Sequence, residues 1–118
     1  SHSYDLHRLG ARRGCARMRG EDAEVYRAAL TRDLSLMQQR LLDELGLRAV
    51  CFAYPFGALE PEAEGVLDAL GLRVRLTCCD TPNHVVQNRP GALVLGRLNR
   101  APGASPEAYM RRLLRHYG

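Results

Sequence analysis

A six-residue phrase occurs twice in this chain. Asp43-Glu44-Leu45-Gly46-Leu47-Arg48 returns as Asp68-Ala69-Leu70-Gly71-Leu72-Arg73, displaced by 25 residues. Each copy joins the end of a helical pattern to a glycine, the residue best suited to the left-handed position that closes a helix. Each then enters an apolar run. Helix, glycine stop and strand entry in succession, twice over, imply strands and helices alternating around a parallel sheet. Parallel strands need such crossover helices, whereas antiparallel neighbours can be joined by a two-residue turn.

The periodicity on either side extends this reading. Tyr26, Leu30, Leu34, Met37, Leu41 and Leu45 recur in steps of four and three, one face of a long helix. Glu21, Asp22 and Glu24 stand in its first turn, where carboxylates meet the positive end of the helix. Residues 49–53 (Ala-Val-Cys-Phe-Ala) form a short apolar run stopped by Tyr54-Pro55-Phe56-Gly57, which reads as a buried strand and then a turn. Pro61 opens a second helix with Ala63, Val66, Leu67 and Leu70 inward. Residues 74–78 and 92–95 are two further strands, separated by a turn-rich surface loop over 80–91. Ser105 caps a last helix, with Pro106 in its first position and Tyr109, Met110, Leu113 and Leu114 facing inward. Residues 1–19 carry no steady period and read as a loop.

The prediction is therefore an α/β chain of three helices and three strands. A parallel sheet must be covered on both faces or closed into a barrel. Three strands complete neither arrangement, so the chain is expected to be part of a larger barrel.

Charge and cysteine usage narrow the function classes. The formal net charge is +4, and all 17 basic residues are arginine, densest at Arg8, Arg12, Arg13, Arg17 and Arg19. No aromatic residue is interleaved there after Tyr4, so this is expected to be a solvated basic loop and not a nucleic-acid face. No stretch reaches the roughly 20 apolar residues of a membrane span. The four cysteines form no CxxC pair, which removes a zinc-ribbon reading. Cys51 and Cys78 fall in apolar runs and are expected to be small buried hydrophobes with reduced thiols. Adjacent Cys78 and Cys79 could not pair without strain.

The opening segment, Ser1-His2-Ser3-Tyr4-Asp5-Leu6-His7, holds the chemistry. Histidines five apart lie roughly 140° apart around a helix and on opposite faces of a strand. They converge only if the segment bends, as it does at the C-terminal end of a barrel strand, where the active sites of such barrels sit.

His2-Ser3 with His7 resembles the second motif of the polysaccharide deacetylases (carbohydrate esterase family four, NodB-like), in the spacing of the branch acting on poly-N-acetylglucosamine. Phe52-Ala53-Tyr54-Pro55-Phe56-Gly57 is similar to the family's third motif. Leu76-Thr77-Cys78, Leu95-Gly96-Arg97-Leu98-Asn99-Arg100 and the Ser105-Pro106-Glu107 helix resemble later elements of that branch, so the likeness covers nearly the whole chain.

The resemblance implies a distorted (β/α) barrel whose N-terminal strands are missing here, with residues 1–118 as the C-terminal portion of a single deacetylase-like domain. It implies a divalent metal, commonly zinc, with His2 and His7 as ligands and Ser3 fixing their loop. It implies hydrolytic removal of N-acetyl or O-acetyl groups from a cell-surface or cell-wall polysaccharide, outside the cytoplasm. The Phe56 backbone N–H would be the oxyanion donor, and Tyr54, Phe56 and Arg97 would contact the acetylated polysaccharide. The family's first motif, an aspartate pair, has no counterpart in this chain. Its usual third-motif arginine corresponds to Ala53, and its late histidine to Arg97 in Leu95-Gly96-Arg97. His84 is the residue that could stand in for that histidine, while His116 is expected at the surface.

Two readings follow. One is a metal-dependent hydrolase to which this chain supplies part of the active site, inactive alone. The other is a glycan-binding module of the same fold without turnover. The open sheet edges also predict self-association.

Overall fold

The computed structural model describes residues 1–88 and 90–117. The long periodic stretch forms α1, Ala23–Leu45. Asp22 caps it, its carboxylate accepting from the Glu24 and Val25 amides and being held below the usual carboxylate range by those two bonds. β1 (Cys51–Ala53) follows, then a 3-10 turn at Pro55–Gly57, a second at Pro61–Ala63, and α2 (Glu64–Ala69). β2 (Val74–Leu76), β3 (Leu93–Leu95) and α3 (Pro106–Tyr117) complete the order.

The repeated phrase does what its composition predicts. Gly46 and Gly71 both sit at left-handed φ, 66° and 73°. The next amide in each copy turns back to the helix it leaves, Leu47 N to Leu41 O at 3.3 Å and Leu72 N to Leu67 O at 2.9 Å. The two copies thus deliver β1 and β2 side by side.

The sheet is parallel in the order β1-β2-β3, with Phe52 opposite Arg75 and Arg75 opposite Val94. Ser1 adds to it. The Ser1 amine donates to Cys51 O (3.1 Å) and Ala53 N donates to Ser1 O (2.8 Å), the pairing of a further parallel strand beside β1.

The core lies on one face of this sheet. Tyr26, Leu30, Leu34 and Met37 of α1 pack with Phe52, Tyr54, Ala63, Val66, Leu67 and Leu72. Gln38 is buried among them and ties three elements together. Its amide donates to Ala49 O (2.8 Å) and Leu70 O (3.2 Å) and accepts from Ala49 N (2.8 Å).

Several expectations are corrected here. Leu45 is exposed, because α1 has passed the edge of the core by its last turn. α3 has no buried residue at all, and Met110 and Leu114 face solvent. Cys51 is only half-buried because it points to the sheet face opposite the helices, and Cys78, past the end of β2, is exposed. Cys15, in the loop, is the fully buried thiol.

Candidate active site

The pairing of Ser1 with β1 sets the position of the next residue. His2 emerges at the C-terminal end of β1, and its Nδ1 lies 2.7 Å from Ala53 O. A carbonyl oxygen only accepts, so Nδ1 is the donor and a neutral ring keeps its lone pair on Nε2.

Two hydrogen-bonded features then turn the chain back. Ser3 Oγ accepts from Leu6 N at 2.9 Å. Asp33 on α1 accepts from Tyr4 N (2.9 Å) and Asp5 N (2.8 Å) through its two carboxylate oxygens. The bend carries His7 over His2, with ring centroids 4.7 Å apart. His7 also meets the Phe56 ring edge-on, at 4.5 Å. The required convergence is achieved by a loop pinned to a helix. A mid-helix aspartate such as Asp33 carries no sequence signal of what it will cap.

Phe56 occupies the left-handed region (φ 55°, ψ 12°), a conformation that a bulky aromatic adopts only under constraint. Gly57 follows at φ 64°. Tyr54 O accepts from Gly57 N and Pro55 O from Ala58 N, while the Phe56 N–H has no acceptor among the described residues. Gly14 supports this turn from below. A Cβ at Gly14 would come within 2.4 Å of Pro55 O, so only glycine lets the basic loop lie against it.

The metal implied by the resemblance can be tested against these donors. Two imidazoles at one strand end, one with its tautomer set by a carbonyl, fit two positions of a zinc site. Among the described residues, no group of three or more His, Cys, Asp or Glu side chains gathers. Asp5 turns away to Arg8, at 3.0 Å.

No family model matches the chain, and no curated protein does. Two solved structures are similar to it. One is the deacetylase domain of BpsB from Bordetella bronchiseptica, with a TM-score of 0.69 and 24% identity over 83% of this chain and 41% of that one. The other is IcaB from Ammonifex degensii, with a TM-score of 0.59 and 23% identity over 96% of this chain and 44% of that one. The fold is that of part of a deacetylase domain. The chain spans less than half the length of either structure.

The remaining predicted residues divide. Tyr54 is fully buried in the core. Its hydroxyl donates to Glu64 Oε1 at 2.6 Å, and burial, reinforced by that carboxylate, pushes the phenol up. Glu64 is shared with Arg75, which is 1% exposed and pairs also with Asp68 at 2.5 Å. This buried arginine inside an apolar strand escaped the periodic reading. The register sets it beside Phe52 on the helix-covered face, where the two carboxylates of α2 neutralise it and Leu72 O accepts from its Nε at 3.2 Å.

Arg97 lies beyond β3. Its Nε donates to Thr77 O (2.7 Å) and its Nη2 reaches Cys78 Sγ (3.2 Å). Cys78 packs so closely on Gly57 that a Cβ there would lie 2.8 Å from it, which brings Arg97 to the same end of the sheet as the Phe56 turn. His84 is exposed and shares no hydrogen bond or ring contact with these groups among the described residues.

Proposed function

We propose that this chain supplies part of the active site of a metal-dependent deacetylase acting on an acetylated polysaccharide, with His2 and His7 as metal ligands. The observation that carries the reading is the convergence of the two imidazoles against Phe56, whose N–H has no acceptor among the described residues, on a fold seen in a deacetylase domain. A divalent metal such as zinc would polarise the acetyl carbonyl and lower the pKa of bound water. This chain's own residues would do the rest. Ala53 O holds the His2 tautomer, Ser3 and Asp33 hold the loop, and the Phe56 N–H faces the developing oxyanion. Arg97 would contact substrate from the neighbouring strand end. The general base and the third ligand come from residues outside this set, and an extracytoplasmic glycan of the cell surface or cell wall is the substrate class the resemblance suggests.

The second reading, a glycan-binding module without turnover, is favoured by Ala53 and Arg97 standing where the family's motifs carry an arginine and a histidine.

Calorimetric titration with zinc tests the first reading, with His2→Ala and His7→Ala beside the parent chain. Each substitution should weaken stoichiometric binding at least about tenfold, the usual effect of losing a ligand or its support. Binding indifferent to both would overturn the metal site and leave the glycan-binding module.

A further inference from the structure

Next to the histidine pair lies an open groove of about 320 Å³, lined by Arg8, Leu9, Gly10, Arg12, Arg13 and Phe56. Three of these six residues are cationic and none is acidic, which sets the sign of what can bind there.

The three arginines are not equivalent. Arg12 is engaged, gripping Glu21 with both terminal guanidinium nitrogens and lying 5.5 Å over the Tyr26 ring, so it builds the wall. Among the described residues Arg8 holds only Asp5, a pair with side chains 74% and 50% exposed. Such surface pairs contribute little and exchange readily for a better anion. Arg13 is exposed and takes part in no ion pair among the described residues. Two available guanidiniums therefore flank a half-buried aromatic ring. A planar guanidinium matches a carboxylate bidentately, and an aromatic face offers apolar area to the C–H face of a sugar. Phe56 is shared with the catalytic end, since its ring meets His7 at 4.5 Å.

We propose that this groove is a subsite for a negatively charged sugar, a uronate carboxylate held by Arg8 and Arg13 with the ring on Phe56. The adjoining acetylated unit then faces His2 and His7. The substrate class is an acetylated acidic polysaccharide. This inference rests on the glycan-deacetylase reading and adds the charge of its substrate.

The test is binding by the 118-residue chain to two hexasaccharides of equal length. One alternates N-acetylglucosamine with glucuronate, and the other is N-acetylglucosamine throughout. Polyglutamate serves as a non-carbohydrate polyanion. The acidic hexasaccharide should bind at least tenfold more tightly than the neutral one. That advantage should shrink in Arg8→Ala and Arg13→Ala, both exposed positions whose loss leaves the core untouched, and should diminish with salt. Equal affinity for the two sugars would overturn the subsite while leaving the glycan reading in place. An advantage that survives both substitutions, or is matched by polyglutamate, would overturn it as well. Binding of neither sugar would overturn the glycan reading and this inference with it.

Discussion

Glycines and a buried thiol carry the residue-scale constraints. Gly57 combines a left-handed φ with contact against Cys78, so Gly57→Ala incurs both backbone strain and a clash. Strain of this kind costs about 2 kcal/mol, and urea unfolding should show at least that loss, together with a changed environment at Phe56. Cys15 has a different lever. Burial, then the negative charge of Asp33, pushes its thiol up from 9.0 to about 12. The folded chain thus holds this proton more tightly than the unfolded chain does. The resulting stability is fully present below pH 9 and drains away as the pH climbs toward 12. Burial pushes Tyr26 and Tyr54 up as well, and they act in the same direction. Unfolding midpoints should fall along an alkaline limb that is shallower, without vanishing, in Cys15→Ala. An unchanged limb in that variant would show that Cys15 does not titrate with unfolding.

At the scale of elements, the Arg75 network matters most. It joins β2 to α2 through Glu64 and Asp68, and Glu64 reaches Tyr54, which immediately precedes the Pro55-Phe56-Gly57 turn. Removing a partner from a buried charge is more damaging than removing an exposed pair. Glu64→Ala leaves Arg75 with Asp68 as its one carboxylate partner and the Tyr54 hydroxyl without its acceptor. It should therefore destabilise by about 2 kcal/mol, with Glu64→Gln milder because its amide oxygen still accepts. Denaturant titration of the two variants checks the order, and equal losses would mean that the carboxylate charge carries the whole effect and hydrogen-bond acceptance adds nothing.

The whole molecule is covered on one side only. Phe52, Arg75 and Tyr54 meet the helices, while Cys51, Val74, Leu76, Leu93 and Leu95 on the opposite face remain half-buried. Parallel sheets are normally buried on both faces, and beyond β3 there is no further strand among the described residues. In a solution holding only this chain, the occupant available for that face is a second copy. Sedimentation velocity should show concentration-dependent association that weakens in Leu93→Glu. A single monomeric species at high concentration would count against it.

The repeat, the helical period of α1 and the Pro and Gly stops made the order of elements and the parallel sheet legible from residues alone, because these are local properties of spacing and backbone preference. Gly46 and Gly71 close their helices as their positions demand. The histidine pair was legible as a pair, and so was the need for a bend, since both follow from the geometry of helices and strands. How the bend is made was not, because it depends on Asp33, 28 residues beyond Asp5 along the chain. Cys78 was assigned to the wrong surroundings for a related reason. Burial belongs to what packs on a residue, and a run of apolar neighbours does not say which face the helices will cover. Arg75 is the converse, a charge in an apolar strand whose partners exist only once β2 lies against α2. The groove of Arg8, Arg13 and Phe56 likewise arises when a loop and a turn 43 residues apart (Arg13 to Phe56) are folded together around Gly14.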